Sequence, residues 1–348
     1  HYPSPNNVRG LLKSNYLINI IMKKHFYDSL NIFRSMIDEV PVFIVGAPRC
    51  GTSLLYRILQ KHSSFKPTKV TSKTGVNLVE SQVFRNPYTL KKSKNARNYM
   101  LNNEEEYIQF LQTTLGIRNF QKILLGKSLL HNLFAFTNGN WLFRSLIFTI
   151  TRSDTLLRSY FYHAKHARGV CRILEKSPNS INFLPEILTT FPKAKLIFLY
   201  RHPIDAFTSY KRKLEDMKKA KSNLNKKSIE WLSISPYNFA KAYEKQINLA
   251  LEAQKLDNNF ISISYEKLVE NPQAELVKIL SFLDETFEET ILPRDETNYF
   301  NWKPDPELFG SIKVQTKDWK DFVNDGEVEI IEAKLEKIMN RLNYTNKI

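Results

Sequence analysis

Cysteine is scarce in this chain: Cys50 and Cys171 are the only two in 348 residues, too few for a disulfide framework or a four-thiolate zinc site. A reducing compartment fits that scarcity. No CxxC or HExxH pattern occurs, and 10 glycines and 15 prolines are too few for a collagen-like or linker-dominated chain. Long apolar runs are missing as well. The longest, 141–150, is about half of the roughly 20 residues a membrane helix needs and is broken by Arg144. With no spanning run, the expected location is the cytoplasm, or the Golgi lumen should an anchor precede His1. Acidic residues are outnumbered, 35 Asp+Glu against 51 Lys+Arg, for a formal charge of +16. That imbalance suits an anionic partner. What is present, 42% hydrophobic and 12% aromatic residues, suffices for one large domain and argues against intrinsic disorder.

Apolar positions at helical spacing from Leu11 to Ile37, with Lys and Arg between them, mark residues 1–39 as a basic helical lead-in. Packing on the main domain is its plainest use, and peripheral membrane contact is the alternative. The run Val40-Pro-Val-Phe-Ile-Val-Gly46 has the continuous apolar character of a strand buried on both faces. A tight loop and a helical pattern follow at once. Similar runs at 172–176, 195–201 and 260–265 each precede a helical pattern, so strands alternate with helices. This predicts a three-layer α/β/α fold with a central parallel sheet, like that of P-loop NTPases, with residues 40–348 forming a single domain. Far more chain than one crossover needs separates Gly46 from Arg201. The excess, about 64–170, is aromatic, basic and helical in pattern, and reads as a large, mostly helical insertion layered over the sheet.

In an open parallel sheet, ligands bind beyond the carboxyl ends of the strands, so the loops after Gly46, Lys176 and Arg201 converge. The first, Gly46-Ala-Pro-Arg-Cys-Gly-Thr-Ser53, has two glycines, a cation at Arg49 and hydroxyls at the start of a helix, the composition of a phosphate-binding turn. A nucleotide kinase or GTPase of the GxxxxGK[ST] type would carry Lys immediately after the second glycine. Thr52 stands there instead. Arg201 leaves a strand end and Ser209 follows two helical turns later, so both can reach one phosphate.

Here a resemblance emerges. The string PRCGTSLL resembles the 5′-phosphosulfate loop of sulfotransferases that use 3′-phosphoadenosine 5′-phosphosulfate (PAPS), and Arg201-His-Pro-Ile-Asp-Ala-Phe-Thr-Ser209 is similar to that family's 3′-phosphate motif. Leu174-Glu-Lys-Ser-Pro178 is similar to the strand end whose Lys faces the sulfuryl group; the alternative for Lys176 is a solvated strand end. Ser264-Tyr-Glu-Lys-Leu-Val-Glu-Asn-Pro272 resembles the segment whose Tyr contacts adenine, with core packing the competing use of Tyr265. Residues 313–320, KVQTKDWK, resemble the late loop that closes over the 3′-phosphate but lack its Arg and glycines. The resemblance covers about 40–63 and 170–322.

It implies transfer of a sulfuryl group from PAPS to an acceptor hydroxyl or amine, leaving adenosine 3′,5′-bisphosphate, with no metal required. The implied donor-binding residues are Arg49, Cys50, Gly51, Thr52, Ser53, Arg201, Ser209, Tyr265 and Lys313; Arg49 and Lys176 would also stabilise charge on the leaving oxygen. A general base must take the acceptor's proton. Pro178 stands where the cytosolic branch has its His, so the chain is nearer the Golgi-type and bacterial branch, and Glu80 is the candidate base. Its alternative is an exposed helical Glu, and His163 and His166 are competing bases. His202 fills a position commonly held by Asp. Cys50 reads as a small loop residue, although a helix N-terminus can activate a thiol.

The charge and the aromatic supply lead us to expect a glycan acceptor, with a lipid or natural-product hydroxyl as the alternative. Two further classes compete: a P-loop kinase, opposed by Thr52, and a basic nucleic-acid-binding module, whose affinity would depend steeply on salt. The paired phosphate loops favour a small-molecule donor and no nucleic acid. Oligomeric state is not legible in the sequence.

Overall fold

The computed structural model describes residues 40–69, 168–219, 232–292 and 319–346, together with residues 80, 81, 84, 157, 161, 164 and 165. The lead-in, most of the 64–170 stretch, His163, His166 and Lys313 lie outside the described residues.

Four parallel strands form the central sheet: β1 (Val42–Gly46), β2 (Leu174–Lys176), β3 (Lys195–Tyr200) and β4 (Phe260–Ser264), in spatial order β2-β1-β3-β4. Every residue of β1 is buried, as its unbroken apolar run requires of a central strand covered on both faces. The α-helices whose bounds lie within the described residues are, in chain order, α1 (Thr52–Leu59), α2 (Leu184–Thr190), α3 (Pro203–Lys219), α4 (Pro236–Leu256), α5 (Tyr265–Glu270), α6 (Pro272–Phe282) and α7 (Asp325–Leu342). Pro203 and Pro272 stand at the starts of α3 and α6, where a missing N–H costs nothing. A capping box at Asn324 and Glu327 opens α7.

β2 is two residues shorter than the apolar pattern suggests. Arg172 lies outside the strand: its amide donates to the Ser64 carbonyl at 2.8 Å, Nε donates to the Val40 carbonyl at 2.6 Å, and Nη1 donates to the Leu283 carbonyl at 2.6 Å and pairs with Glu285 at 2.9 Å. On one sheet face, Phe43 packs against Phe84, Phe161 and Phe191 with ring centroids 5.5–5.9 Å apart. Phe84, Leu157, Phe161 and Ala164 are therefore core residues. The chain order reverses direction at β1: β2 lies on one side of it and β3 on the other. A crevice at such a switch point is where an open α/β sheet binds its ligand.

Candidate functional site

Gly46 ends β1 packed close against β3; a Cβ there would sit 2.5 Å from the Leu199 carbonyl oxygen. The chain then turns through Arg49 and Gly51, both with left-handed backbone (φ 66° and 89°). Gly51 is the N-cap of α1 and supplies no side-chain acceptor, so the first amides of the helix are left to face the loop, as an anion site requires. Thr52 is buried and Ser53 half-buried.

The loops after β1 and β3 meet. Arg49 Nε donates to Ser209 Oγ at 3.1 Å, which joins the two sequence motifs although 160 positions separate them. Arg201, buried at the end of β3, lays its guanidinium 4.4 Å from the centroid of the Tyr265 ring. That ring also covers Gly51, since a Cβ on Gly51 would fall 2.4 Å from Tyr265 Cδ2. Tyr265 is thus a partly exposed plate between two loops rather than a core residue. Behind them stands a layer that sequence spacing does not reveal. The Tyr243 hydroxyl donates to the Arg201 carbonyl. Glu266 accepts from the His202 amide (2.7 Å), Ser264 Oγ (2.6 Å) and the Tyr344 hydroxyl (2.9 Å). His202 Nε2 lies 2.9 Å from the Thr345 carbonyl, so the C-terminal segment after α7 braces the strand end bearing Arg201.

Lys176 at the end of β2 is 1% exposed, which removes the solvated strand-end alternative. Its ammonium donates to Ser53 Oγ at 3.1 Å and pairs with the Glu80 carboxylate. Glu80 is not helical: it occupies a left-handed bend (φ 54°) whose amide donates to the Lys176 carbonyl at 2.7 Å. Its side chain is 48% exposed while its amide and carboxylate are held to Lys176 of β2. Cys50 is fully buried, and burial pushes its thiol well above the ordinary range against the opposing pull of Arg201. Burial thus favours the thiol over the thiolate there.

Beside this pair lies Glu175, a fully buried carboxylate that sequence reasoning passed over. Its signal was a charged residue inside a strand buried on both faces. Oε1 accepts from Ser81 Oγ at 2.6 Å and from Ser177 Oγ, and Oε2 has no partner among the described residues. Burial pushes its carboxyl from 4.5 up to about 7, against the pull of the two serine hydroxyls and Lys176. The folded chain therefore binds a proton that the unfolded chain has released between about pH 4.5 and 7, so Glu175 makes stability fall as pH rises through that window. In Glu175→Gln this slope disappears: the melting temperature of the variant relative to the parent rises by several degrees between about pH 5 and about pH 8. An equal difference at both pH values would contradict a protonated buried carboxyl.

The fold and these loops define an α/β protein that gathers Arg49, Lys176 and Arg201 at the carboxyl ends of β1, β2 and β3. The Sulfotransferase family model matches residues 41–289, and the chain belongs to that family. No curated protein matches it in sequence. Among solved structures, the sulfotransferase domain of the Synechococcus PCC 7002 olefin synthase is similar at 17% identity and TM-score 0.52, covering 89% of this chain and 98% of that one. A sulfotransferase from Mycobacterium avium aligns at 14% identity and TM-score 0.46, over 94% of this chain and 84% of its own. The first likeness is one of fold. Among the described residues no helix is long and apolar enough to cross a membrane.

Proposed function

We propose that this chain transfers a sulfuryl group from PAPS to an acceptor hydroxyl. The observation that carries the reading is the joining of two phosphate motifs through Arg49 and Ser209, with Lys176 and Glu80 paired alongside. The donor set fits the co-substrate: three cations for its phosphates and sulfate, hydroxyls at Thr52, Ser53 and Ser209, and an aromatic plate at Tyr265 for a base. Arg201 and Ser209 would hold the 3′-phosphate, and the amides opening α1 with Thr52 and Ser53 the 5′-phosphate. PAPS supplies an activated sulfuryl group whose bond to the bridging oxygen breaks as the acceptor oxygen bonds to sulfur. Lys176 and Arg49 stabilise the charge growing on the departing oxygen. The acceptor's proton passes to the Glu80 carboxylate, the half-exposed member of the pair.

Cations of the chain fill the electrostatic role of a metal, so activity survives chelation with EDTA. For the acceptor, the +16 charge favours an anionic glycan. The fold likeness to a domain of an olefin synthase brings natural-product hydroxyls into the test. Radiosulfur-labelled PAPS offered with a panel of sulfated and unsulfated glycans, alkyl alcohols and phenols measures both points. Transfer to at least one panel member, lowered about 10²–10⁴-fold in kcat by Glu80→Gln with little change in the KM for PAPS, is the expected result. Labelled product formed equally well by Glu80→Gln would remove Glu80 as the base.

A further inference from the structure

We infer that Glu175 is a positioning residue that fastens the Glu80 segment to β2 and thereby sets the geometry of the Glu80–Lys176 pair. The pattern of contacts is reciprocal. Ser81, the residue after Glu80, and Ser177, the residue after Lys176, both donate their hydroxyls to the same oxygen, Glu175 Oε1. The Glu80 amide meets the Lys176 carbonyl, and the Glu80 carboxylate meets the Lys176 ammonium. Two short stretches, 80–81 and 175–177, are thus pinned at three points, and one buried side chain supplies the link through the serines.

The topology explains the need for such a link. Among the described residues β2 pairs with β1 alone, and its other edge receives residues 80–81. A single backbone bond would leave that segment free to rotate; side-chain bonds on both sides of the pair fix it. Along β2, Glu175 and Lys176 point to opposite faces. Lys176 faces Ser53 and the loop after β1, whereas Glu175 is buried beneath the pair. Burying a carboxyl group there is costly, and with Oε2 unpartnered among the described residues the two bonds to Oε1 recover only part of that cost. A residue kept only for stability would be better served by an apolar side chain. Of the charged and titratable groups that face it, Glu80 opposes its ionisation and Lys176 favours it, and the Tyr56 hydroxyl feels its charge in turn. The carboxylate thus couples to both members of the pair.

The inference rests on the reading of Glu80 as base only for its effect on rate; the fastening itself is measured without activity. Four variants are compared with the parent: Glu175→Ala, Glu175→Gln, Ser81→Ala and Glu80→Gln. Hydrogen exchange of the amide at residue 80 reports the attachment, and kcat against KM for PAPS, with the best acceptor of the panel, reports its consequence. In Glu175→Ala the Glu80 amide exchanges at least about 10-fold faster and kcat falls about 10–100-fold, while KM for PAPS stays within about threefold. Glu175→Gln keeps a carbonyl oxygen for both serines and recovers most of the protection and of kcat. Ser81→Ala, which leaves the buried carboxyl and the core intact, gives a smaller loss in the same direction, and it stands in should Glu175→Ala fail to fold. Unchanged exchange and unchanged kcat in Ser81→Ala or Glu175→Ala would overturn the inference, as would a Glu175→Gln variant that folds but is as loose as Glu175→Ala. Full activity in Glu80→Gln alongside faster exchange in Glu175→Ala would fault the base assignment alone and leave the fastening standing.

Discussion

Lys176→Met lowers kcat by about 10²–10³-fold, the range observed when one preorganised donor to a developing negative charge is removed. Two features make this a loss of rate rather than of fold. Methionine replaces the buried aliphatic stem at similar volume, and the partner left behind, Glu80, is 48% exposed and is solvated when its cation is gone. The severe penalty for orphaning a buried charge, about 3–5 kcal/mol, therefore does not apply. In the proposed reaction Lys176 contributes most where charge grows on the departing oxygen, so the KM for PAPS is expected to change little. Lys176→Arg does not restore the rate, because a planar fork cannot occupy the point position between Ser53 and Glu80. Steady-state kinetics of the two variants test this. A parental kcat in Lys176→Met would remove Lys176 from the chemistry.

Gly51→Ala weakens donor binding by at least about 10²-fold, through two separate costs. The position has φ 89°, where a side chain costs on the order of 1–2 kcal/mol. The new methyl would also meet Tyr265 Cδ2 at 2.4 Å and Cε2 at 2.9 Å. The ring must move, and with it the face on which Arg201 rests at 4.4 Å. A change in the loop after β1 thereby disturbs Arg201, the residue proposed to hold the 3′-phosphate. In the background of Tyr265→Ala the methyl has room, so the second substitution costs less than it does alone, a coupling that a double-mutant cycle measures. Additive losses would show that the ring does not transmit the clash.

What sequence carried and what it did not divides along a physical line. β1 and β3 are legible because a strand buried on both faces is written as a continuous apolar run, with Gly46 or Pro203 marking the turn beyond it; β4, half-buried and interrupted by Ser262, is legible from the helical patterns on either side of it. The turn chemistry of residues 46–53 and the spacing from Arg201 to Ser209 are local, and each suggests an anion before any contact is known. β2 reads too long because the partners of Arg172, at Val40, Leu283 and Glu285, are remote in sequence. The same holds for the supports of the site. Ser81 and Glu175 are separated by 94 positions, and Tyr344 and Glu266 by 78, and no spacing rule links such residues. Glu80 shows both sides: a carboxylate beyond the phosphosulfate loop is a sequence signal, but its left-handed bend on the edge of β2 is a tertiary property. The plate formed by Tyr265 is likewise visible only once Gly51 and Arg201 are brought against it.

The most direct test of the account is calorimetric binding of adenosine 3′,5′-bisphosphate, adenosine 5′-monophosphate and ATP to the parent and to Arg201→Ala. A site built from paired 5′- and 3′-phosphate loops predicts a preference for the bisphosphate of at least about 10²-fold in the parent, lost in Arg201→Ala, where monophosphate affinity changes little. Equal affinity for all three nucleotides, or a bisphosphate preference that survives the loss of Arg201, would contradict it.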